Sequence, residues 1–215
     1  MSQQVSLKQV EKRMYQAAFK DGLIEIFIGS FILIFAIAPL LSTRLGDFWS
    51  SFIFLPFWAL VGFILKYIRK TVVVPRIGAV QFGSWRKKRL KFFTLLMVGF
   101  NLAALVLGFI TFTGFERIAP LAIPIRFSVI ILAGFSLAAA LLQQPRFYLY
   151  GLMIAAAPVA GEYLYQNFGA GHHGFPISFG LCAAVLFCAG AALLIRVIIS
   201  HPVDFNPLPE TEESL

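Results

Sequence analysis

Six apolar stretches fill most of this chain, at residues 22–41, 48–67, 92–112, 123–142, 147–165 and 176–199. A helix rises 1.5 Å per residue, so a stretch of about 20 residues crosses the roughly 30 Å of hydrocarbon in a bilayer. Lipid offers no partner to backbone amides, which leaves the α-helix as the way for one stretch to cross. The expected fold is therefore an all-α integral membrane protein with six transmembrane helices in antiparallel hairpins. The connections at 42–47 and 143–146 leave room only for tight turns, and Pro145 marks the second. The spans occupy residues 21–200, with an amphipathic segment at 1–20 before them, a basic loop at 68–91 between the second and third, and an acidic, proline-containing tail at 201–215 that reads as disordered.

Charge sets the orientation. With the N-terminus on the cytoplasmic side, fifteen of the 18 basic residues fall inside, and only Arg44, Arg117 and Arg126 fall outside. That asymmetry follows the positive-inside rule and puts both termini in the cytoplasm. In a soluble protein a net charge of +8 would suggest nucleic acid; here 59% hydrophobic and 13% charged residues exclude a soluble fold. The cations are expected to meet anionic lipid headgroups and no nucleic acid. Aromatic belts agree with the boundaries: Trp49, Tyr163 and Tyr165 at outer ends, and Tyr67, Trp85, Tyr148 and Tyr150 at inner ones. Cys182 and Cys188 lie six residues apart in the last stretch, point in different directions on a helix and read as packing residues.

Residues 1–20 place Leu7, Val10 and Met14 at helical steps with Lys8, Lys12 and Arg13 on other faces, a pattern for a helix lying on the membrane surface. In the basic loop, Thr71-Val72-Val73-Val74 and Ala79-Val80-Gln81-Phe82 flank Pro75-Arg76-Ile77-Gly78, which predicts a short β-hairpin. Trp85 then sits at headgroup level beside Arg86, Lys87, Lys88, Arg89 and Lys91. Arg76, Gly78, Phe82, Trp85, Arg86, Lys87, Lys88 and Arg89 are the candidate interaction residues, for lipid or for a protein partner; a plain basic flank after a turn explains the same run.

Asp21-Gly22-Leu23-Ile24-Glu25, together with Val74-Pro75-Arg76-Ile77-Gly78-Ala79-Val80-Gln81-Phe82, resembles a pattern in uncharacterised prokaryotic multi-pass membrane proteins. There a D-G-L-x-[DE] start is followed, after a helical hairpin, by Y-P-R-x-G-Y-V-x-F. This chain departs from it at Val74 and at Ala79. The resemblance covers few residues and implies a prokaryotic cytoplasmic membrane, a six-helix topology and no particular activity.

Ionisable or strongly polar side chains inside a span cost several kcal/mol unless they are satisfied, so each is a functional candidate. Glu25, Asn101 and Glu162 are the three. Glu25 shares a face with Gly22, Gly29 and Ala36, which marks close helix packing, and the basic loop is its expected partner. Asn101 falls near the middle of the third stretch, where an interhelical hydrogen bond is the plain reading. Glu162 continues the line Gly151, Ala155, Pro158, with Arg117 or Arg126 as expected partners. In the last stretch, Gly180, Ala184, Cys188 and Ala192 form a smooth ridge for packing in the bundle or for a homo- or hetero-oligomer. His172 and His173 with Glu162 invite a metal, but adjacent histidines seldom reach one ion and no metal or cofactor is expected.

No HExxH, no nucleophile–base pairing within a span and no phosphate loop is present in the sequence, so an enzyme is not expected. The leading expectation is a non-catalytic accessory or regulatory membrane subunit. The alternative is a small transporter or channel for a proton or small solute through Glu25, Asn101 and Glu162.

Overall fold

The computed structural model describes residues 21–77 and 121–202, with the single positions 95 and 99. Its long helices are α1 (Leu23–Phe52), α2 (Phe54–Ile68), α3 (Ala122–Leu142), α4 (Arg146–Phe168) and α5 (Phe175–Ser200). Among the described residues four segments are long and apolar enough to cross a membrane: Leu23–Gly46, Ala122–Leu142, Arg146–Phe168 and His172–Ser200. These match the first, fourth, fifth and sixth apolar stretches. The second stretch is helical too, but α2 has 15 residues, about 22 Å of helix, which by itself falls short of the hydrocarbon core. The third stretch lies, but for two positions, outside the described residues, as do residues 1–20 and 203–215.

The first turn is tighter than expected. Ser42 and Thr43 donate their hydroxyls back to the carbonyls of Pro39 and Leu40 and stay helical. The reversal is concentrated at Gly46, with φ 77 and ψ 161, a region that only glycine enters without strain. A β-carbon there would meet nothing within 4 Å, so backbone freedom and not space selects glycine. The second turn runs through Gln143, at φ 55, and closes by the Gln144 N–H donating to Ala139 O at 3.1 Å.

The expected β-hairpin is not formed as drawn. Its first strand, Thr71–Val74, is helical: a π-turn covers Arg69–Val73 and an α-turn covers Val74–Ile77. Thr71 donates its hydroxyl to Tyr67 O at 2.9 Å and Arg76 donates to Val72 O at 2.8 Å. The wide turn stands immediately before Pro75, which lacks an N–H and would crowd the carbonyl of Thr71 in a regular helix. Extending α2 costs little once it is nucleated, whereas an isolated two-stranded hairpin is barely stable. The second expected strand, 79–82, lies outside the described residues.

Contacts fix the helix directions. A β-carbon on Gly22 would run into the carbonyl of Gly190, one on Gly29 would lie 3.4 Å from Ala183 O, and one on Gly180 3.9 Å from Ala36. These pairs run in opposite order, so α1 and α5 are antiparallel, and they make the most extensive helix contact in the bundle. Trp58 on α2 stacks on Phe31 of α1, ring centroids 4.6 Å apart, and Arg69 beyond α2 lies within electrostatic reach of Asp21 before α1. The second helix therefore returns to the end where the first began. Glu25 at the start of α1 meets Arg146 at the start of α4, so these two run parallel, with α3 opposed to both.

The heptad Gly22, Gly29, Ala36 faces α5, as its small residues predict. The matching face of α5 is Ala183 and Gly190, with Leu186 and Val197 also buried. The ridge predicted on that helix is not the seam: Ala184, Cys188 and Ala192 are exposed. The physical reason is angular. A four-residue step advances 400°, so three steps carry the line about 120° round the helix, while a seven-residue step stays within about 20° of one face. Cys182 and Cys188 are both free thiols, the first buried and the second exposed.

At the centre lie Ile32, Ile154, Phe179, Ala183 and Leu186, each 3% exposed or less. Phe35 links Phe127 on α3 and Phe179 on α5, at 5.9 and 5.4 Å. The outer surface is equally apolar, with Phe63, Leu149, Leu181 and Ile199 each at least 67% exposed, as suits a lipid-facing side. Lipid tails are as apolar as leucine, so burying these side chains against protein gains dispersion contacts and little else. Close backbone approach and polar pairs must then hold the helices together.

Candidate functional site

One end of the bundle, labelled inner after the expected topology as the Glu162 end is labelled outer, is assembled by the Asp21–Glu25 motif. Asp21 accepts the Leu23 N–H at 3.1 Å and so satisfies one of the first orphan donors of α1. Gly22 adopts φ 78 and lies directly on the Gly190 backbone of α5; a side chain there would be both strained and obstructed. This close approach seats the first turn of α1 deep in the bundle, and Glu25, one turn on, is 0% exposed. Arg146 Nη1 lies 2.7 Å from Glu25 Oε1, and Tyr150 Oη donates to the same oxygen at 3.1 Å. Arg146 also makes a further interaction.

The expected partner of Glu25 was the basic loop. The structure supplies Arg146 instead, from the α3–α4 turn, with Tyr150 one turn further along α4. Tyr150, expected as an interfacial belt residue, is half-buried in this cluster, while Tyr67, Tyr148, Tyr163 and Tyr165 are exposed. Among the described residues the second oxygen of Glu25, Oε2, is buried without a hydrogen-bond partner, as is Gln144 Nε2 in the adjoining turn. Burial pushes the Asp21 carboxyl up from its ordinary value, against the Leu23 N–H, Arg69 and Arg146, which favour its charge.

At the outer end Glu162 is 6% exposed, on the buried line Gly151, Ala155 and Pro158 as the spacing predicts. Gln166 donates to its Oε1 at 2.9 Å, and His173 Nδ1 lies 2.9 Å from its Oε2. Of the expected arginines, Arg126 is exposed and is not among these partners, and Arg117 lies outside the described residues. His173 is placed by a left-handed turn in which His172, His173 and Gly174 have φ 54, 53 and 61. The turn is pinned by the approach of Gly174 to the Gly161 carbonyl and by the Tyr165 ring, 4.5 Å from that of His173. Ser178 Oγ is buried close by without a partner.

Of the three expected intramembrane polar residues, the structure places Glu25 and Glu162 at opposite ends, with the apolar cluster of Ile32, Ile154, Phe179 and Leu186 between them. Asn101 lies outside the described residues, as do Gly78, Phe82, Trp85, Arg86, Lys87, Lys88 and Arg89; Arg76 is half-buried against its own helical turn. Among the described residues no three His, Cys, Asp or Glu side chains gather to hold a metal. Arg146 is the residue that sequence reasoning missed. Its signal was visible in being a lone arginine opening an apolar stretch in a four-residue turn, away from the basic loop.

Chemically, the inner cluster is a buried ion pair with a phenol donor, suited to locking two helix starts together. The outer one is a carboxylate held by an imidazole and an amide, whose charge balance depends on protonation. Comparison with family models, curated proteins and solved structures gives no match, so the function is argued from the chemistry of these residues.

Proposed function

We propose that this protein is a non-catalytic multi-pass membrane subunit, accessory or regulatory to a protein partner. The observation that carries this reading is the apolar centre among the described residues: two buried carboxylates, each held by a side-chain partner, separated by close-packed aliphatic and aromatic side chains. Buried ion pairs and hydrogen-bonded carboxylates at helix ends are what a rigid scaffold needs. The partner contacts fall on the cytoplasmic residues Arg76, Gly78, Phe82, Trp85, Arg86, Lys87, Lys88 and Arg89, whose cations also meet anionic headgroups.

The chain crosses six times in this reading, with both termini cytoplasmic in a prokaryotic cytoplasmic membrane. Helix directions support the count. After α2 the chain is at the Glu25 end; α3 begins at the opposite end. The apolar stretch 92–112 lies in the sequence between those two ends and is the fitting length for one crossing.

Purification from native membranes in mild detergent tests the subunit reading. A stoichiometric co-purifying protein, lost on changing Arg76 and Phe82 to alanine but kept in Glu25→Gln and Glu162→Gln, supports it. The rival is a proton or small-solute transporter, favoured by the unpartnered Glu25 Oε2. It takes the lead if both glutamine variants abolish a flux in vesicles while folded protein is unchanged.

A further inference from the structure

We propose that the seam between the end of α2 and the end of α5, at the Glu25 end of the bundle, binds a phospholipid with an anionic headgroup. The turn Arg69–Val73 packs on α5, and Val73 and Val197 are buried at 6% and 8% exposure. Around this apolar joint stand Lys66, Arg69, Lys70 and Arg196, all exposed. The described acidic residues at this end are Asp21 and Glu25. Both are buried, the second against Arg146 and the first within reach of Arg69 and Arg146. The outward-facing cations of the seam therefore have no described carboxylate in front of them.

The apolar half of the site lies on the same helix faces. Phe63, Lys66, Tyr67 and Lys70 follow one another at steps of three, one and three, a single stripe that turns from apolar to cationic towards the membrane edge. Phe63 is 69% exposed and Tyr67 61%. On α5, Ile195, next to Arg196 in the chain, is also exposed, at 55%. A free phosphate would use the cations alone. An amphipathic molecule, with a negative head and acyl chains running towards the bilayer centre, matches both halves. The inference rests on the membrane reading and is independent of the subunit reading, which is tested by protein co-purification.

The test is native mass spectrometry of the full chain released from bilayers of phosphatidylglycerol and phosphatidylcholine with matched acyl chains. With this cationic seam, phosphatidylglycerol is expected to be retained roughly tenfold over phosphatidylcholine. Lys70→Gln with Arg196→Gln, which leaves Arg69 beside Asp21, should reduce that preference to about twofold or less. Arg44→Gln with Arg126→Gln removes the same charge from exposed positions at the opposite end of the bundle and should leave it intact. If the double variant does not fold, Lys66→Gln and Arg196→Gln are read singly, each expected to lower the preference about threefold. Equal retention of the two lipids overturns the proposal, and so does equal loss in the seam and opposite-end variants, which means diffuse charge. Displacement by excess inorganic phosphate overturns it in favour of a phosphate site. A rise in lipid retention when Glu210, Glu212 and Glu213 are changed to glutamine overturns it in favour of the acidic tail as occupant.

Discussion

Glu25 and Glu162 are buried to nearly the same extent, at 0% and 6% exposure, and at opposite ends of one bundle. The first meets a guanidinium and a phenol, and the second an imidazole and an amide. The inner contact is a guanidinium–carboxylate pair between two different helices. His173 is charged only when protonated, and Gln166 lies on the same helix as Glu162, so the outer contact ties a loop to one helix. The difference teaches where the bundle is locked. At the inner end polar chemistry joins α1 to α4; at the outer end it seats the α4–α5 connection, and aromatic packing joins the helices.

The comparison breaks first at Arg146. Replacing it with methionine leaves the Glu25 carboxylate buried without its cation, which is expected to cost about 3–5 kcal/mol, read as reversible unfolding in detergent or bicelles. Adding Glu25→Gln to that variant should recover most of the loss; a double variant as unstable as the single one would mean the ion pair is not the lock. Gly22→Ala comes next, at roughly 2–4 kcal/mol, from a left-handed φ and from collision with the Gly190 backbone. Its control at the outer end is Gly171→Ala, where a β-carbon meets nothing within 4 Å, and the change should stay within about 0.5 kcal/mol.

His173→Ala should cost only about 1 kcal/mol, because the ring is half in solvent and Gln166 still serves Glu162. A loss as large as that at Arg146 would erase the distinction between the two ends. The smallest effect concerns Asp21. Its raised carboxyl means the folded state binds the proton more readily than the unfolded chain, so the ionised form subtracts stability above the ordinary carboxylate range. That penalty is relieved as pH falls through the range. Asp21→Asn keeps an oxygen for the Leu23 N–H without the charge, and should raise stability at neutral pH by up to about 1 kcal/mol. Asp21→Ala, losing the cap, should lower it by about the same amount.

Much of this was legible before any coordinates. The boundaries of α3, α4 and α5 follow from hydropathy and from Pro145, because a crossing helix is a local decision between lipid and water. The inward faces of α1 and α4 were readable from Gly22–Gly29–Ala36 and Gly151–Ala155–Pro158, since seven-residue and mixed three-and-four steps hold one face. Of the two readings of the α5 ridge, packing within the bundle is not the one seen, because a uniform four-residue step drifts off the face that packs. The β-prone run at Thr71–Val74 misled for another reason: propensity describes an isolated segment, and here the segment continues a helix already formed.

What the amino-acid order determined alone is the solvent: a run of about 20 apolar residues must become a helix in lipid, wherever the rest of the chain lies. It also determined that Glu25 and Glu162 need partners, because desolvating a carboxylate is costly in any apolar setting. Which partners they take was decided only in three dimensions. Arg146 reaches Glu25 from 121 positions further along the chain because Gly22 lets α1 sit against α5 and α4 starts at the same level. Electrostatic attraction between two side chains depends on their distance in space, and no local pattern in the chain encodes that distance.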